Sequence, residues 1–125
     1  MILDTNGLSA MADGEPAIEP ILRKAAQLAI PVIVLGEYRY GILHARQRKD
    51  YEQWLADYLP KFRVLDVDER TTVSYSAIRT ELKKAGTPIP SNDVWIAALC
   101  RQHSLPIASR DLHFDSVRGI QRFDW

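Results

Sequence analysis

The chain has 125 residues, of which 46% are hydrophobic and 26% charged, and its 16 basic and 16 acidic side chains give a formal net charge of zero. This is the size and composition of one globular domain, and we predict a single domain over residues 1–125. The only cysteine, Cys100, excludes a disulfide framework and a cysteine-rich zinc site, and the charge balance argues against binding of nucleic acid through bulk positive charge.

Short apolar runs alternate along the chain with segments in which apolar residues recur at helical spacing. In chain order the predicted elements are a strand at 1–3, a helix at 18–29, a strand at 31–35, helices at 36–45 and 51–59, a strand at 63–67, helices at 75–85 and 93–100, and strands at 106–108 and 120–123. Gly86 is a stop signal for the helix at 75–85. The segment 93–100 is apolar almost all round, which indicates a buried helix.

Strands separated by helices predict parallel pairing through right-handed crossovers. We therefore expect an α/β fold, a three-layer sandwich in which helices flank a short-stranded, mainly parallel sheet. No apolar run approaches the length of a membrane span, and an acid at the fourth residue makes the N-terminal segment unlike a signal peptide. We expect a cytoplasmic protein that has no membrane contact.

Four acids, Asp4, Glu37, Asp93 and Asp111, follow predicted strands or open predicted helices. Each of them alone is equally well explained as a cap or first-turn acid that complements a helix dipole. Together they are expected at one edge of the sheet, where like charges are costly unless a cation neutralises them. Oxygen ligands of this kind suit Mg²⁺ or Mn²⁺, and such a cluster is typical of metal-assisted phosphodiester cleavage.

Other catalytic arrangements find no support in the sequence. The three histidines, His44, His103 and His113, have no consistent relation to a serine or to Cys100. Cys100 lies inside the apolar helix, where a buried small side chain is the expected role. The chain also has no glycine-rich phosphate-binding motif.

The acids stand in sequence motifs that carry a resemblance over nearly the whole chain. These motifs are Met1-Ile2-Leu3-Asp4-Thr5-Asn6, Gly36-Glu37, Ser91-Asn92-Asp93 followed by Ile96-Ala97-Ala98, and Ser109-Arg110-Asp111-Leu112-His113-Phe114. In this order and spacing the sequence resembles the PIN domain family, and within it the VapC-type toxins of bacterial type II toxin–antitoxin modules.

The resemblance implies a Mg²⁺- or Mn²⁺-dependent endoribonuclease whose acidic quartet is Asp4, Glu37, Asp93 and Asp111. It further implies supporting residues around this quartet. These are the hydroxyl residues Thr5 and Ser109, the polar residues Asn6 and Asn92, and an additional acid, Asp115. Asp115 has an alternative role as the cap of the turn that leads to Val117. The implied partners are an RNA substrate, a cognate antitoxin that covers the acidic pocket, and a second copy of the chain in a homodimer.

Without the four proposed ligands, the chain has 12 acids against its 16 bases, so a metal-loaded protein would face RNA as a modestly basic molecule. Candidate RNA contacts are basic side chains near the motifs, for which a solvated surface role is an equal alternative: Arg39, Arg46, Arg48, Lys49 and Arg110. For the aromatic residues Tyr38, Tyr40 and Trp95, a core or interface position is favoured over base stacking.

Three alternatives to a toxin ribonuclease remain open at this point. A receiver-like signalling domain would need an adjacent acidic pair after the first strand, but Asp4 is followed by Thr5 and Asn6. A PIN nuclease could instead act in RNA processing or on DNA. A PIN-like module could also bind a partner without catalysis, although all four acids are present.

Overall fold

The computed structural model describes residues 1–125 and contains a five-stranded, all-parallel sheet flanked by six helices. The strands are β1 (Ile2–Leu3), β2 (Ala29–Pro31), β3 (Arg63–Leu65), β4 (Ile107–Ala108) and β5 (Arg122–Phe123). The helices are α1 (Thr5–Ala12), α2 (Glu19–Arg23), α3 (Val32–Leu43), α4 (Arg48–Tyr58), α5 (Glu69–Ala85) and α6 (Ser91–His103), with short 3₁₀ turns at Pro16–Ile18, Leu59–Lys61 and Leu112–Ser116. The predicted fold class, an α/β sandwich with a short-stranded parallel sheet, is confirmed.

The strand order is β3-β2-β1-β4-β5, so the chain moves outward from β1 to β3 and then returns to the other side of β1. β1 is therefore flanked by β2 and β4, with Ile2 in register with Ala29 on one side and Ile107 on the other. In open parallel sheets, the point where the strand order reverses leaves a crevice at the carboxyl ends of the two strands. Here that crevice lies between the ends of β1 and β4.

The predicted strand at 31–35 is wrong, because α3 already begins at Val32 and only Ala29–Pro31 joins the sheet. Pro31 has an extended backbone (φ −59°, ψ 140°) and immediately precedes the helix. Val34, Tyr38 and Ile42 then form a buried stripe at i, i+4 and i+8. The burial of this stripe outweighs the low helix propensity of the β-branched residues that open α3.

The predicted helix at 18–29 is also wrong at both ends of its range. Ile18 ends a 3₁₀ turn, α2 covers only Glu19–Arg23, and Ala29 is already in the sheet. The helix predicted at 36–45 corresponds to α3, which begins four residues earlier, and the remaining three correspond to α4, α5 and α6. Gly86 ends α5 in the left-handed conformation (φ 71°).

One cluster of 25 buried residues forms the core. The strand residues Ile2, Leu3, Ile30 and Ile107 are completely buried in it, as expected for a sheet covered by helices. Helix α6 contributes six buried residues, which confirms the prediction from its apolar pattern. None of the helices combines the length and apolar character needed to cross a membrane.

Candidate active site

Asp4 lies at the carboxyl end of β1, where it caps α1 and is only 5% exposed. One carboxylate oxygen, Oδ1, accepts a hydrogen bond from the backbone N–H of Gly7 at 2.8 Å. The other oxygen, Oδ2, accepts from the hydroxyl of Ser109. Burial raises the pKa of Asp4, and the nearby charges of Asp111 and Asp93 raise it further, although the bonds from Ser109 and Gly7 act in the opposite direction.

Gly7 brings the start of α1 close to β4. A Cβ at this position would lie 3.1 Å from the carbonyl oxygen of Ala108 and 3.4 Å from Oδ1 of Asp4. The glycine therefore permits the close approach that places its N–H on the Asp4 carboxylate. This role of Gly7 was not predicted from the sequence.

Ser109 links the ends of β1 and β4 through a single hydroxyl group. Its side chain is completely buried, and its Oγ donates to Asp4 while it accepts from the backbone N–H of Asp111 at 2.9 Å. Asp111 in turn caps the Leu112–Ser116 turn, where its Oδ1 accepts from the backbone N–H of His113 at 2.9 Å. The two acids at the switch point are thus held by one hydrogen-bonded chain.

Asp93 lies in the first turn of α6 and faces Asp111 across the imidazole of His113. The Nδ1 atom of His113 is 2.9 Å from Oδ2 of Asp93 and 3.1 Å from Oδ1 of Asp111. The hydrogen bond to Asp93, together with the charges of both acids, raises the pKa of His113. One donor atom from each of the three residues lies within 4.8 Å of the others, which is a spacing that a metal ion could bridge.

His113 was not predicted as a site residue, because the sequence analysis compared the histidines only with nucleophiles. Its position two residues after Asp111 was the available signal. Asp111 caps the Leu112–Ser116 turn, and this turn brings the His113 ring back to the Asp111 carboxylate.

Glu37 lies in the middle of α3 rather than at its start, and the first turn of that helix has no acidic residue. A first-turn role for Glu37 is therefore wrong. Burial raises the pKa of Glu37, and so do the charges of Asp93 and Asp4, while the polar side chains of Thr5 and Asn92 lower it. Glu37 and Thr5 also line a cavity of about 230 Å³ between α1, α3 and α4.

Asp93 and Asp111 thus meet at His113, the charges of both raise the pKa of Asp4, and the charges of Asp93 and Asp4 raise the pKa of Glu37. None of these four carboxylates forms an ion pair with a lysine or an arginine. Clustered acids without cationic partners are costly in a metal-free protein. Hard oxygen donors that converge in this way fit a divalent cation such as Mg²⁺ or Mn²⁺.

Two of the proposed supporting residues lie outside this group. Asn6 is exposed in the first turn of α1 and its side chain makes no hydrogen bond within the chain. Asp115 forms a bidentate ion pair with Arg122, with Nε–Oδ1 at 2.8 Å and Nη2–Oδ2 at 2.9 Å, and this pair lowers the pKa of Asp115. The Asp115 carboxylate is therefore directed to an arginine rather than to the other acids.

Several other candidates have structural roles. Arg110 pairs with Glu15 and lies over the ring of Trp125, 4.9 Å from its centroid. Tyr38 belongs to the core, as the sequence analysis favoured, and Trp95 stacks on Tyr75 at the surface of α5 and α6. Burial raises the pKa of the Cys100 thiol to about 12, so it is no nucleophile at neutral pH.

Comparison with known proteins identifies a matching family and solved structures with the same fold. A sequence model of the PIN domain matches residues 1–120. The chain is 28% identical to Ribonuclease VapC5 of Mycobacterium tuberculosis, over 94% of this chain and 87% of that protein. It is 30% identical to Toxin FitB of Neisseria gonorrhoeae, over 89% of this chain and 87% of that protein.

Among solved structures, the DNA-bound VapBC complex from Salmonella typhimurium contains a chain that superposes with a TM-score of 0.86 at 26% identity. The superposition covers 99% of this chain and 96% of that one. A family match over residues 1–120, and relatives that are covered over 87% of their own length, assign the chain as a whole. The chain therefore belongs to the PIN domain family, and its relatives include ribonuclease toxins of the VapC type.

Proposed function

We propose that this chain is the toxin of a type II toxin–antitoxin pair and acts as a metal-dependent endoribonuclease. The observation that carries the proposal is the convergence of Asp4, Glu37, Asp93 and Asp111 without lysine or arginine partners. The similarity to Ribonuclease VapC5 supports RNA as the substrate, and the similarity to Toxin FitB supports a toxin. The proposed unit of function is the single domain of residues 1–125.

In this proposal, Asp4, Asp93 and Asp111 hold the principal divalent cation, while Glu37 orients the attacking water or helps to hold a second ion. When bound, Mg²⁺ or Mn²⁺ would supply Lewis acidity, which neutralises phosphate charge and lowers the pKa of a bound water. Attack by water rather than by the RNA 2′-hydroxyl leaves a 5′-phosphate and a 3′-hydroxyl.

The surrounding side chains prepare these acids for their roles. Ser109 fixes the orientation of Asp4, and the Nδ1 atom of His113 lies between the carboxylates of Asp93 and Asp111. The raised pKa of Glu37 brings this carboxylate closer to the range in which it accepts a proton from water. The polar side chains of Thr5 and Asn92 partly offset this rise in the pKa of Glu37.

The proposed partners are an RNA substrate, a cognate antitoxin and a second copy of this chain in a homodimer. Structures titled as VapBC and FitAB complexes support the antitoxin, because chains in them share the whole fold with this protein at more than 25% identity. We propose that the antitoxin covers the acidic group and that the pair acts in the cytoplasm.

The proposal is tested by incubating the purified full chain with cellular RNA in the presence of Mg²⁺ or Mn²⁺. We expect cleavage that stops when EDTA is added. Asp4→Asn removes a proposed ligand and should lower the rate by about 100-fold or more, which exceeds the usual effect of an outer-shell change. Asp57→Asn is the control, because it removes an exposed acid of α4 that bonds only Gln53.

Two further readouts separate the alternatives. Products that a 5′-phosphate-dependent exonuclease degrades would support hydrolysis by water. Single-stranded DNA incubated in parallel distinguishes a ribonuclease from a DNA nuclease. Cleavage by Asp4→Asn at the wild-type rate would overturn the proposed metal site, and an inactive but folded wild-type protein would favour a module that only binds partners.

A further inference from the structure

A single arginine holds both ends of the segment that carries Asp111. Arg122 lies in β5, and its side chain is only 11% exposed. Its guanidinium makes the bidentate ion pair with Asp115, and its Nη1 donates to the backbone carbonyl of Ser109 at 2.9 Å. Ser109 and Asp115 bracket the segment, so one planar group fixes where it starts and where it ends.

The anchored residue, Ser109, connects two of the proposed ligands. Its hydroxyl donates to Asp4 and accepts from the N–H of Asp111, and its own N–H donates to the carbonyl of Phe123 at 3.0 Å. A displacement of the Ser109 backbone would therefore move the Asp111 main chain and remove the hydrogen bond on Asp4 together. Arg122 therefore binds the backbone carbonyl of Ser109, the residue that links Asp4 to Asp111.

We propose that Arg122 is a positioning residue for the divalent cation, and that Asp115 acts through Arg122 instead of binding the cation itself. The inference rests on the proposed function, since it concerns the ligand geometry of the same site. Bidentate arginine–carboxylate pairs fix geometry as well as adding energy. Residues that orient metal ligands commonly change metal affinity by about 10–100-fold when they are lost.

Elsewhere in the chain, a second arginine makes the same kind of contacts and provides a matched control. Arg101 forms a bidentate pair with Glu81, at 3.2 and 3.0 Å, and donates to the backbone carbonyl of Arg118 at 2.7 Å. Neither Glu81 nor Arg118 contacts any of the four acids. Loss of Arg101 therefore removes an equivalent ion pair and an equivalent backbone hydrogen bond at a position away from the four acids.

The experiment measures Mn²⁺ binding to the full chain, freed of metal beforehand, from the electron paramagnetic resonance signal of unbound Mn²⁺. We expect Arg122→Gln to weaken Mn²⁺ binding by about 10-fold. Arg122→Lys should not restore affinity, because an ammonium group cannot bond both Asp115 oxygens and the Ser109 carbonyl in one plane. Arg101→Gln should bind Mn²⁺ like the wild type, while urea unfolding reports the stability that each variant loses.

The outcomes separate this inference from the proposed function. Equal Mn²⁺ affinity in Arg122→Gln and Arg101→Gln would overturn the positioning role. If Arg122→Gln does not fold, Asp115→Asn replaces it, and wild-type affinity in that variant would overturn the role equally. A wild-type protein that binds no Mn²⁺, or an Asp4→Asn variant that binds it normally, would refute the metal site itself and this inference with it.

Discussion

At the scale of single residues, Asp4 shows that capping a helix and facing a charged site are compatible roles. Its Oδ1 accepts from the Gly7 N–H, as a cap does, while its Oδ2 accepts from Ser109, which links it to Asp111. Burial and the charges of Asp111 and Asp93 nevertheless raise the pKa of this carboxylate. The metal-free site therefore stores unfavourable electrostatic energy that a bound cation would release.

The unfavourable electrostatic energy of the metal-free site can be tested at Glu37, by measuring how the free energy of unfolding depends on pH. Because its pKa is raised in the folded protein, its contribution to stability is fully present below the unfolded value and is lost as pH rises through the folded pKa. Glu37→Gln should therefore raise the free energy of unfolding at pH 7, and have no such effect near pH 3.5. The gain should stay below about 1 kcal/mol, because solvent screens this exposed group.

The measurement is urea unfolding at both pH values in the presence of EDTA. Glu81→Gln is the opposite control, because the hydrogen bond from Arg101 lowers the pKa of Glu81. The stabilisation by the charged Glu81 is present above the pKa of the unfolded state and is lost as pH falls through the pKa of the folded state. Glu81→Gln should therefore have a lower free energy of unfolding than the wild type at pH 7. A Glu37→Gln protein that is less stable than the wild type at pH 7 would contradict the electrostatic description.

At the scale of elements, α3 illustrates where sequence patterns reach their limit. The apolar run at 31–35 fits a buried strand or the start of a buried helix equally well, since periodicity alone does not separate them in so few residues. The segment after Pro31 is helical because the helix buries Val34, Tyr38 and Ile42 on one face. Elements with clear stop signals, such as α5 with Gly86, were predictable because the signal is local.

Two glycines that are equally free of neighbouring atoms should respond in opposite ways to alanine. No atom lies within 4 Å of a Cβ built on Gly36 or on Gly86, so steric contact does not distinguish them. Gly86 has a φ of 71° at the end of α5, and Gly86→Ala should cost about 1 kcal/mol. Gly36 lies inside α3, and Gly36→Ala should stabilise by about 0.5–1 kcal/mol.

Both values are obtained from urea unfolding with the wild type as reference. Destabilisation by Gly36→Ala would show that α3 does not continue through Gly36 in solution. A neutral Gly86→Ala would show that the left-handed end of α5 is not maintained.

At the scale of the whole molecule, parallel topology explains why the acids could be grouped from sequence. Each acid follows a strand or lies on a helix next to the carboxyl edge, and that edge is common to all parallel strands. The strand order was not predictable, because it depends on which crossover packs on which face. The contact of His113 with Asp93 and that of Arg122 with Ser109 were not predictable either, since they depend on long-range pairing.

Induced expression of the wild-type chain in a bacterial host should arrest growth, because uncontrolled RNA cleavage stops protein synthesis. Co-expression of its cognate antitoxin should restore growth, and Asp4→Asn should not arrest it at all. Growth rates of the cultures are compared, and immunoblots of the soluble fraction measure how much of each protein is present. Normal growth with abundant soluble wild-type protein would count against the toxin function.

The Ser109–Asp4 hydrogen bond joins residues 105 positions apart, and β1 pairs with β4 only after nearly the whole chain has been synthesised. The first acid therefore leaves the ribosome long before its partners do. A nascent chain that still lacks β4 has no assembled group of carboxylates and no competent site. Translation itself thus delays the proposed nuclease, and the ribosome that makes the protein is not exposed to its activity until synthesis is almost complete.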